Sequence, residues 1–260
     1  MEKIDYIENG YCIYKNYIDK NKIKTYNNEI DRLQNILPID NKNDIFDESN
    51  TGKIKQIQYL YLKSEIFKEL LYDMSKIATN IFGNNDYIVL NMQLFEKHPY
   101  ISKPTRPHQD NAYIKITPPN ALTIWISLDD IDENNGCMYY MPKSHLTPTH
   151  KHNRYHSQTT FRIRSGVPGL SLCLHEHPEE KDIPVPTKEG DIIVHNCNTI
   201  HRSGKNNSNN RRRAIGIIYM PTYCTKDDIL MKYHYDNLKE DIELQKIKDP
   251  ILYKHLKSKY

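Results

Sequence analysis

The feature that most constrains this chain is a succession of short β-forming segments separated by turn signals, with no helical pattern between them. DYIVLNMQLF (86–95), ALTIWISL (121–128), GCMYYM (136–141), DIPVPT (182–187), DIIVHNC (191–197) and RRAIGIIYM (212–220) are rich in β-branched and aromatic residues. Asn135-Gly136, Glu189-Gly190 and Pro221 punctuate them. Parallel strands need a crossover, usually helical, from each strand to the next. Their absence here points to a sandwich or barrel, not an α/β sheet.

Helical periodicity is confined to the two ends. Ile66, Leu70, Met74, Ile77 and Ile81 recur at steps of three and four, which predicts a helix over 63–82 with one apolar face, stopped by Gly83 and Asn84-Asn85. NEIDRLQNIL (28–37) reads as a shorter amphipathic helix, and the charged stretch 222–260 as C-terminal helices. We therefore expect one catalytic domain over 1–260: a mostly helical part (1–85), a β core (86–221) carrying a lid-like insertion (146–181), and helices from 222 onward. This is a mainly β fold with flanking helices.

A formal net charge of +3 gives no case for nucleic acid as a partner. The sequence holds no apolar run of membrane-spanning length, and its opening residues lack the apolar stretch of a signal peptide. Five scattered cysteines without a CxxC pair suit reduced thiols, and the expected location is cytoplasmic.

The densest chemical signal is RPHQDNAY (106–113). In a strand, side chains at i and i+2 share a face, so His108 and Asp110 would converge while Gln109 turns away. An imidazole and a carboxylate at one point are two parts of a 2-His-1-carboxylate set, which leaves metal positions open for substrates. HxD alone occurs by chance in many proteins. A third ligand could come from GDIIVHNCNTIHRSGKNNSNNRRRA, where His201 lies 93 residues after His108 and His195 is a competitor on the preceding strand. Without the strand register, sequence does not choose which way His195 faces. Eleven residues after His201 comes Arg212, opening a strand where a guanidinium could grip a planar carboxylate. Arg211 and Arg213 should point the opposite way, or the three form a solvated basic turn.

These pieces, with ENGYCIYKNYIDKNKI, NMQLFEK and LTIWISLDDIDENNGCMYYMPKSH in the same order, make the chain resemble the phytanoyl-CoA dioxygenase family of Fe(II)/2-oxoglutarate oxygenases. The resemblance implies a double-stranded β-helix, a jelly-roll and cupin relative. It implies iron held by His108, Asp110 and His201, and a 2-oxoglutarate carboxylate held by Arg212 with Ser203 beside it. Gln93, Gln109 and Trp125 would line the co-substrate or substrate pocket, though Trp125 equally suits core packing. The implied reaction consumes O2 and 2-oxoglutarate and hydroxylates a C–H bond of a small molecule. The intact carboxylate at Asp110 favours hydroxylation over halogenation. Two departures stand out: Lys143 where the family's Pro-Gly-Ser-His turn has glycine, and Pro107 where a tryptophan is common. Competing readings are a non-catalytic metal-binding member of the fold, a peptide or protein hydroxylase, and a cupin-type isomerase or hydrolase. The stretch 150–164 carries Lys151, Arg154, Arg162, Arg164 and three histidines without an acid, so an anionic substrate is expected.

Overall fold

The computed structural model describes residues 1–37, 45–47, 51–154, 172–174, 177–229 and 231–232. In chain order its elements begin with α1 (Glu2–Asn9), β1 (Tyr11–Tyr14), α2 (Lys20–Ile36), β2 (Ile45–Asp47), β3 (Ile54–Ile57), α3 (Leu60–Lys63), α4 (Glu65–Phe82) and β4 (Tyr87–Lys97). Next come β5 (Thr105–His108), α5 (Asn111–Ile114), β6 (Ile116–Thr117), β7 (Leu122–Ser127), β8 (Met138–Tyr140), β9 (Asn153–Arg154) and β10 (Leu172–Cys173). The last are β11 (Ile183–Val185), β12 (Ile192–Asn196), β13 (His201–Ser203), β14 (Arg212–Pro221) and β15 (Thr225–Lys226).

Two antiparallel sheets form the core. The major sheet has seven strands in the order β1-β12-β7-β14-β4-β3-β2, and the minor sheet has four in the order β11-β8-β13-β5. Trp125, Ile193 and Ala214 of the major sheet meet Met138, Tyr140 and Val185 of the minor sheet in one apolar cluster. The other face of the major sheet is covered by helices: Ile23, Tyr26, Ile30 and Leu33 of α2 and Phe67, Leu70, Met74 and Ile77 of α4 pack against Leu94, Ile124, Ile126, Ile215 and Ile217. The central strands β7 and β12 are thus buried along their whole length, and both carry consecutive apolar residues (Ile124-Trp125-Ile126 and Ile192-Ile193-Val194) instead of strict alternation. This arrangement is a double-stranded β-helix with helices on one face.

The α4 helix begins at Glu65 and stops at Gly83 in the left-handed conformation, as its periodicity and the glycine predict. The helix read at 28–37 starts earlier, at Lys20, with the Asp19 side chain accepting from the Asn21 N–H. The reading of 1–85 as helical is incomplete. β1 pairs with β12 at one side of the major sheet, and β3 pairs with β4 toward the other, carrying β2 at the edge. These strands are only three or four residues long, so pairing with the sheet, not a hydrophobic period, defines them. Most of the C-terminal stretch lies outside the described residues. Its described start forms β15, which pairs with β6.

Candidate metal centre and adjoining cavity

His108 ends β5, and the chain leaves the strand at once: Asp110 has φ −58° and ψ −31° and precedes the short helix α5. The expectation of two residues on one strand face is therefore corrected. The side chains still converge, because the turn into α5 swings Asp110 back toward the strand partner of β5. That partner is β13, where His201 lies directly opposite His108. One atom from each of His108, Asp110 and His201 can be chosen so that all three lie within 4.8 Å of one another, a set able to hold a metal ion.

The hydrogen bonds around the set leave the right atoms available. His108 Nδ1 donates to the Arg106 carbonyl at 2.8 Å, and His201 Nδ1 donates to the Thr199 carbonyl at 2.9 Å. Each ring is thereby fixed with its Nε2 lone pair aimed inward, 3.7 Å and 3.5 Å from Asp110 Oδ1. Backbone partners of this kind orient metal-binding histidines. Burial pushes both imidazoles toward the neutral form, the state in which they can bind a metal. Burial alone would raise the Asp110 carboxyl, but His201, His195 and His108 outweigh it and hold it well below the usual carboxylate range.

His195 faces the same interior, opposite Thr123 and Tyr11 on the flanking strands. Its Nε2 contacts the other carboxylate oxygen, Asp110 Oδ2, at 3.2 Å, and Thr123 Oγ1 donates to that oxygen at 2.8 Å. The register left open by the sequence thus sets His195 against Asp110 Oδ2, on the cavity wall beside His201, whose ring centroid is 4.6 Å away.

A cavity of about 110 Å³ opens beside this cluster, lined among others by Gln93, Trp125, His108, Asp110, His201, Ser203 and Arg212. Arg212 is 2% exposed, yet its Nε has no hydrogen-bond partner and its Nη1 makes only a long 3.5 Å contact with the Phe95 carbonyl. Burial pulls its pKa down to about 10. The indole Nε1 of Trp125 is likewise buried without a partner, 5.5 Å separating the ring centroid from the Arg212 guanidinium carbon. Unpaired buried donors are costly unless a ligand takes them up.

Gln109 does not belong to this cavity, contrary to expectation. Lying between two inward-facing residues, its side chain turns outward and is fully buried (0% exposed). Its amide donates to the Asn198 carbonyl and accepts from the His150 N–H, at 2.8 Å and 2.7 Å. The Gln109 N–H donates to His152 Nε2 at 2.9 Å, and burial lowers the His152 pKa to about 4. The start of the stretch read as a lid-like insertion is therefore bonded to the HxD segment, a role for Gln109 and His152 that sequence reasoning missed. Farther on, β9 pairs with β10, and the Leu174 N–H donates to the Pro107 carbonyl. His156, Arg162 and Arg164 lie outside the described residues.

Comparison with known proteins shows the family and the fold. The family model for phytanoyl-CoA dioxygenase matches residues 6–214. The peroxisomal phytanoyl-CoA dioxygenase of Bos taurus is 23% identical over 241 residues, covering 86% of this chain and 69% of that protein. Phytanoyl-CoA dioxygenase 1 of Oryza sativa subsp. japonica is 25% identical over 159 residues, covering 60% of this chain and 53% of that protein, so this chain spans only about half the rice protein's length. Among solved structures, the epimerase SnoN, in complex with Fe3+, alpha ketoglutarate and nogalamycin RO, aligns with a TM-score of 0.68 at 20% identity, covering 86% of this chain and 84% of that one. EvdO2 of Micromonospora carbonacea var. aurantiaca, complexed with 2-oxoglutarate, aligns at 0.65 and 19% identity, covering 86% and 91%. These structural likenesses are likenesses of fold. The chain belongs to the phytanoyl-CoA dioxygenase family.

Proposed function

We propose that this protein is an Fe(II)- and 2-oxoglutarate-dependent oxygenase that hydroxylates a C–H bond of a small molecule. The observation that carries the reading is the pairing of two donor sets in one cavity. Inward-aimed Nε2 atoms of His108 and His201 stand beside Asp110 Oδ1, and a buried guanidinium with an orphaned Nε lines the same space. The first set suits a divalent iron with open positions. The second suits the far carboxylate of a dicarboxylate, which a metal-only isomerase or hydrolase would not require.

When bound, iron with 2-oxoglutarate and O2 supplies the oxidising chemistry: one oxygen atom goes into succinate, carbon dioxide leaves, and the other oxygen goes into the substrate as hydroxyl. The protein's own part is to position and to exclude. His108, Asp110 and His201 hold the metal, and Asp110 offsets part of its charge. Arg212, with the Ser203 hydroxyl nearby, holds the co-substrate at its far end. Gln93 and Trp125 shape the wall between, and the Trp125 N–H is free to donate to a ligand. His201 and Arg212 are buried and the His108 and Asp110 side chains are only 12% and 18% exposed, which limits the access of bulk water to the reacting atoms.

An anionic substrate is supported by Lys55 and Lys97, which line the cavity in addition to Arg212; Arg202 also lines it but is paired with Asp182, and Glu96 and Asp110 bring negative charge to the same lining. Among the described residues no helix is long and apolar enough to cross a membrane. The test is direct. Purified protein supplied with Fe(II) and labelled 2-oxoglutarate is screened against anionic metabolites for succinate formation, with the product mass read in parallel. A substrate gaining one oxygen in step with succinate supports the proposal. Absence of 2-oxoglutarate turnover across metals and substrates would favour a non-catalytic metal-binding member of the fold.

A further inference from the structure

Asp110 is held by more than the family motif. Tyr140, on β8 of the minor sheet, is 0% exposed and its hydroxyl lies 2.9 Å from His195 Nδ1. His195, on β12 of the major sheet, reaches Asp110 Oδ2 through Nε2 at 3.2 Å. A carboxylate can only accept hydrogen bonds, so the proton on His195 sits on Nε2. His195 Nδ1 is then an acceptor, and the Tyr140 hydroxyl donates to it. The direction of the chain is fixed: Tyr140 to His195 to Asp110. Tyr11 of β1 buttresses it, stacked on the Tyr140 ring with centroids 4.6 Å apart and facing His195 across the strand pair. With Thr123 donating as well, Oδ2 takes two hydrogen bonds, while Oδ1 faces the Nε2 atoms of His108 and His201.

We propose that Tyr140 and His195 are positioning residues, a relay across the two sheets that locks the Asp110 carboxylate so that Oδ1 alone is presented to the metal. This rests on the metal centre proposed above. Rotation of an unclamped carboxylate would exchange its oxygens at the metal and spread the ligand over several orientations. The clamp holds one of them in advance of binding, and outer partners of metal-binding groups commonly set affinity by about tenfold to a hundredfold.

The test uses metal alone. Metal-free wild type, Tyr140→Phe, His195→Leu, His195→Gln and Asp110→Asn are titrated with Mn(II), free ion being read by electron paramagnetic resonance. The visible bands of the Co(II)-loaded proteins are recorded alongside. Tyr140→Phe should weaken Mn(II) binding by roughly tenfold and alter the Co(II) bands, which a purely structural tyrosine would not do. His195→Leu should weaken binding at least as much. His195→Gln, whose amide can still donate to Oδ2, should retain more affinity than His195→Leu. Wild-type affinity and unchanged bands in Tyr140→Phe and His195→Leu, with binding lost in Asp110→Asn, would overturn the relay while sparing the centre. Loss of metal in His195→Leu with Tyr140→Phe unaffected would make His195 itself a metal-binding residue and also overturn it. Unimpaired binding by Asp110→Asn would instead remove the centre on which both readings stand. If His195→Leu does not fold, Tyr140→Phe, which loses one oxygen atom, decides the matter.

Discussion

Arg212 and Arg213 are neighbours on one strand with opposite fates. Arg213 turns toward the helices, where it bonds Glu96 at 2.9 Å, Gln34 at 2.9 Å and Asp31 at 2.7 Å. Arg212 turns into the cavity and its Nε is left unpartnered. The alternation of strand side chains separates a structural arginine from one held ready for a ligand.

The two should respond differently to truncation. Arg212→Ala is expected to raise the apparent Kd for 2-oxoglutarate by roughly one to three orders of magnitude, since a buried charge-assisted contact is lost. Its melting temperature should change little, because no ion pair among the described residues is broken. Arg213→Ala should leave Glu96 buried without its cation and cost about 3–5 kcal/mol of stability. Ligand titration and thermal unfolding of both variants check the assignment. Equal effects on 2-oxoglutarate affinity would mean that the two faces are not functionally distinct.

For the metal, the expected stoichiometry is one Fe(II) per chain. His108→Ala, Asp110→Ala and His201→Ala should each abolish turnover, with Asp110→Ala losing the charge that offsets the cation. Chelation should remove activity from the wild type, and Fe(II) should restore it. Metal content by elemental analysis, taken before and after dialysis, measures this independently of any substrate.

Much of the site could be read before the fold, and the exceptions have physical causes. An HxD motif, a histidine just past a strongly β segment and an arginine opening the next strand singled out His108, His201 and Arg212, which the fold brings to one cavity. Asp110 was found through a strand rule that its own backbone does not obey, because the chain turns helical there. His195 was singled out as a competing ligand with its facing left open, and Tyr140 was not singled out: which way they face depends on register across two sheets, and nothing local sets it. Gln109 was placed in the pocket by the family resemblance, against the neighbour rule, which turns the side chain between two inward residues away from the cavity. Strands β1 and β3 are four residues each, too short to display a period, and the major sheet supplies the pairing that defines them.

Lys143 provides a test of backbone strain. It occupies the left-handed region at φ 65°, at the position where the resembled turn has glycine. Its N–H donates to the Asn9 carbonyl, so the conformation is tied to the end of α1. A side chain there costs about 1–2 kcal/mol. The flexibility of glycine in the unfolded chain returns part of that gain. Lys143→Gly should therefore stabilise the protein by about 0.5–1 kcal/mol without changing metal affinity. Denaturant unfolding with an unchanged slope would confirm it, and destabilisation would show that the lysine side chain makes a favourable contact.

Asp191 should contribute to the acid limit of stability. It is buried at the start of β12, where Oδ2 accepts from the Lys188 N–H at 2.9 Å and from Lys15 Nζ at 2.9 Å, while Oδ1 accepts from the Asn16 N–H at 2.8 Å. Burial by itself would raise the carboxyl, but these donors and the Lys15 charge outweigh it and lower its pKa below the ordinary value. The folded form then binds its proton less readily than the unfolded chain. The resulting stabilisation is complete above the unfolded pKa of about 3.9 and is lost as pH falls through the folded value. Asp191→Asn keeps the shape but removes the ionised acceptor, and should cost about 2 kcal/mol near neutral pH. The gap between wild type and variant should narrow below about pH 4, as the wild-type carboxyl takes up its proton. Unfolding free energies of the two proteins, measured from neutral pH into the acid range, test both the size and the sign. A gap that stays constant across that range would mean that Asp191 acts by shape and not by charge.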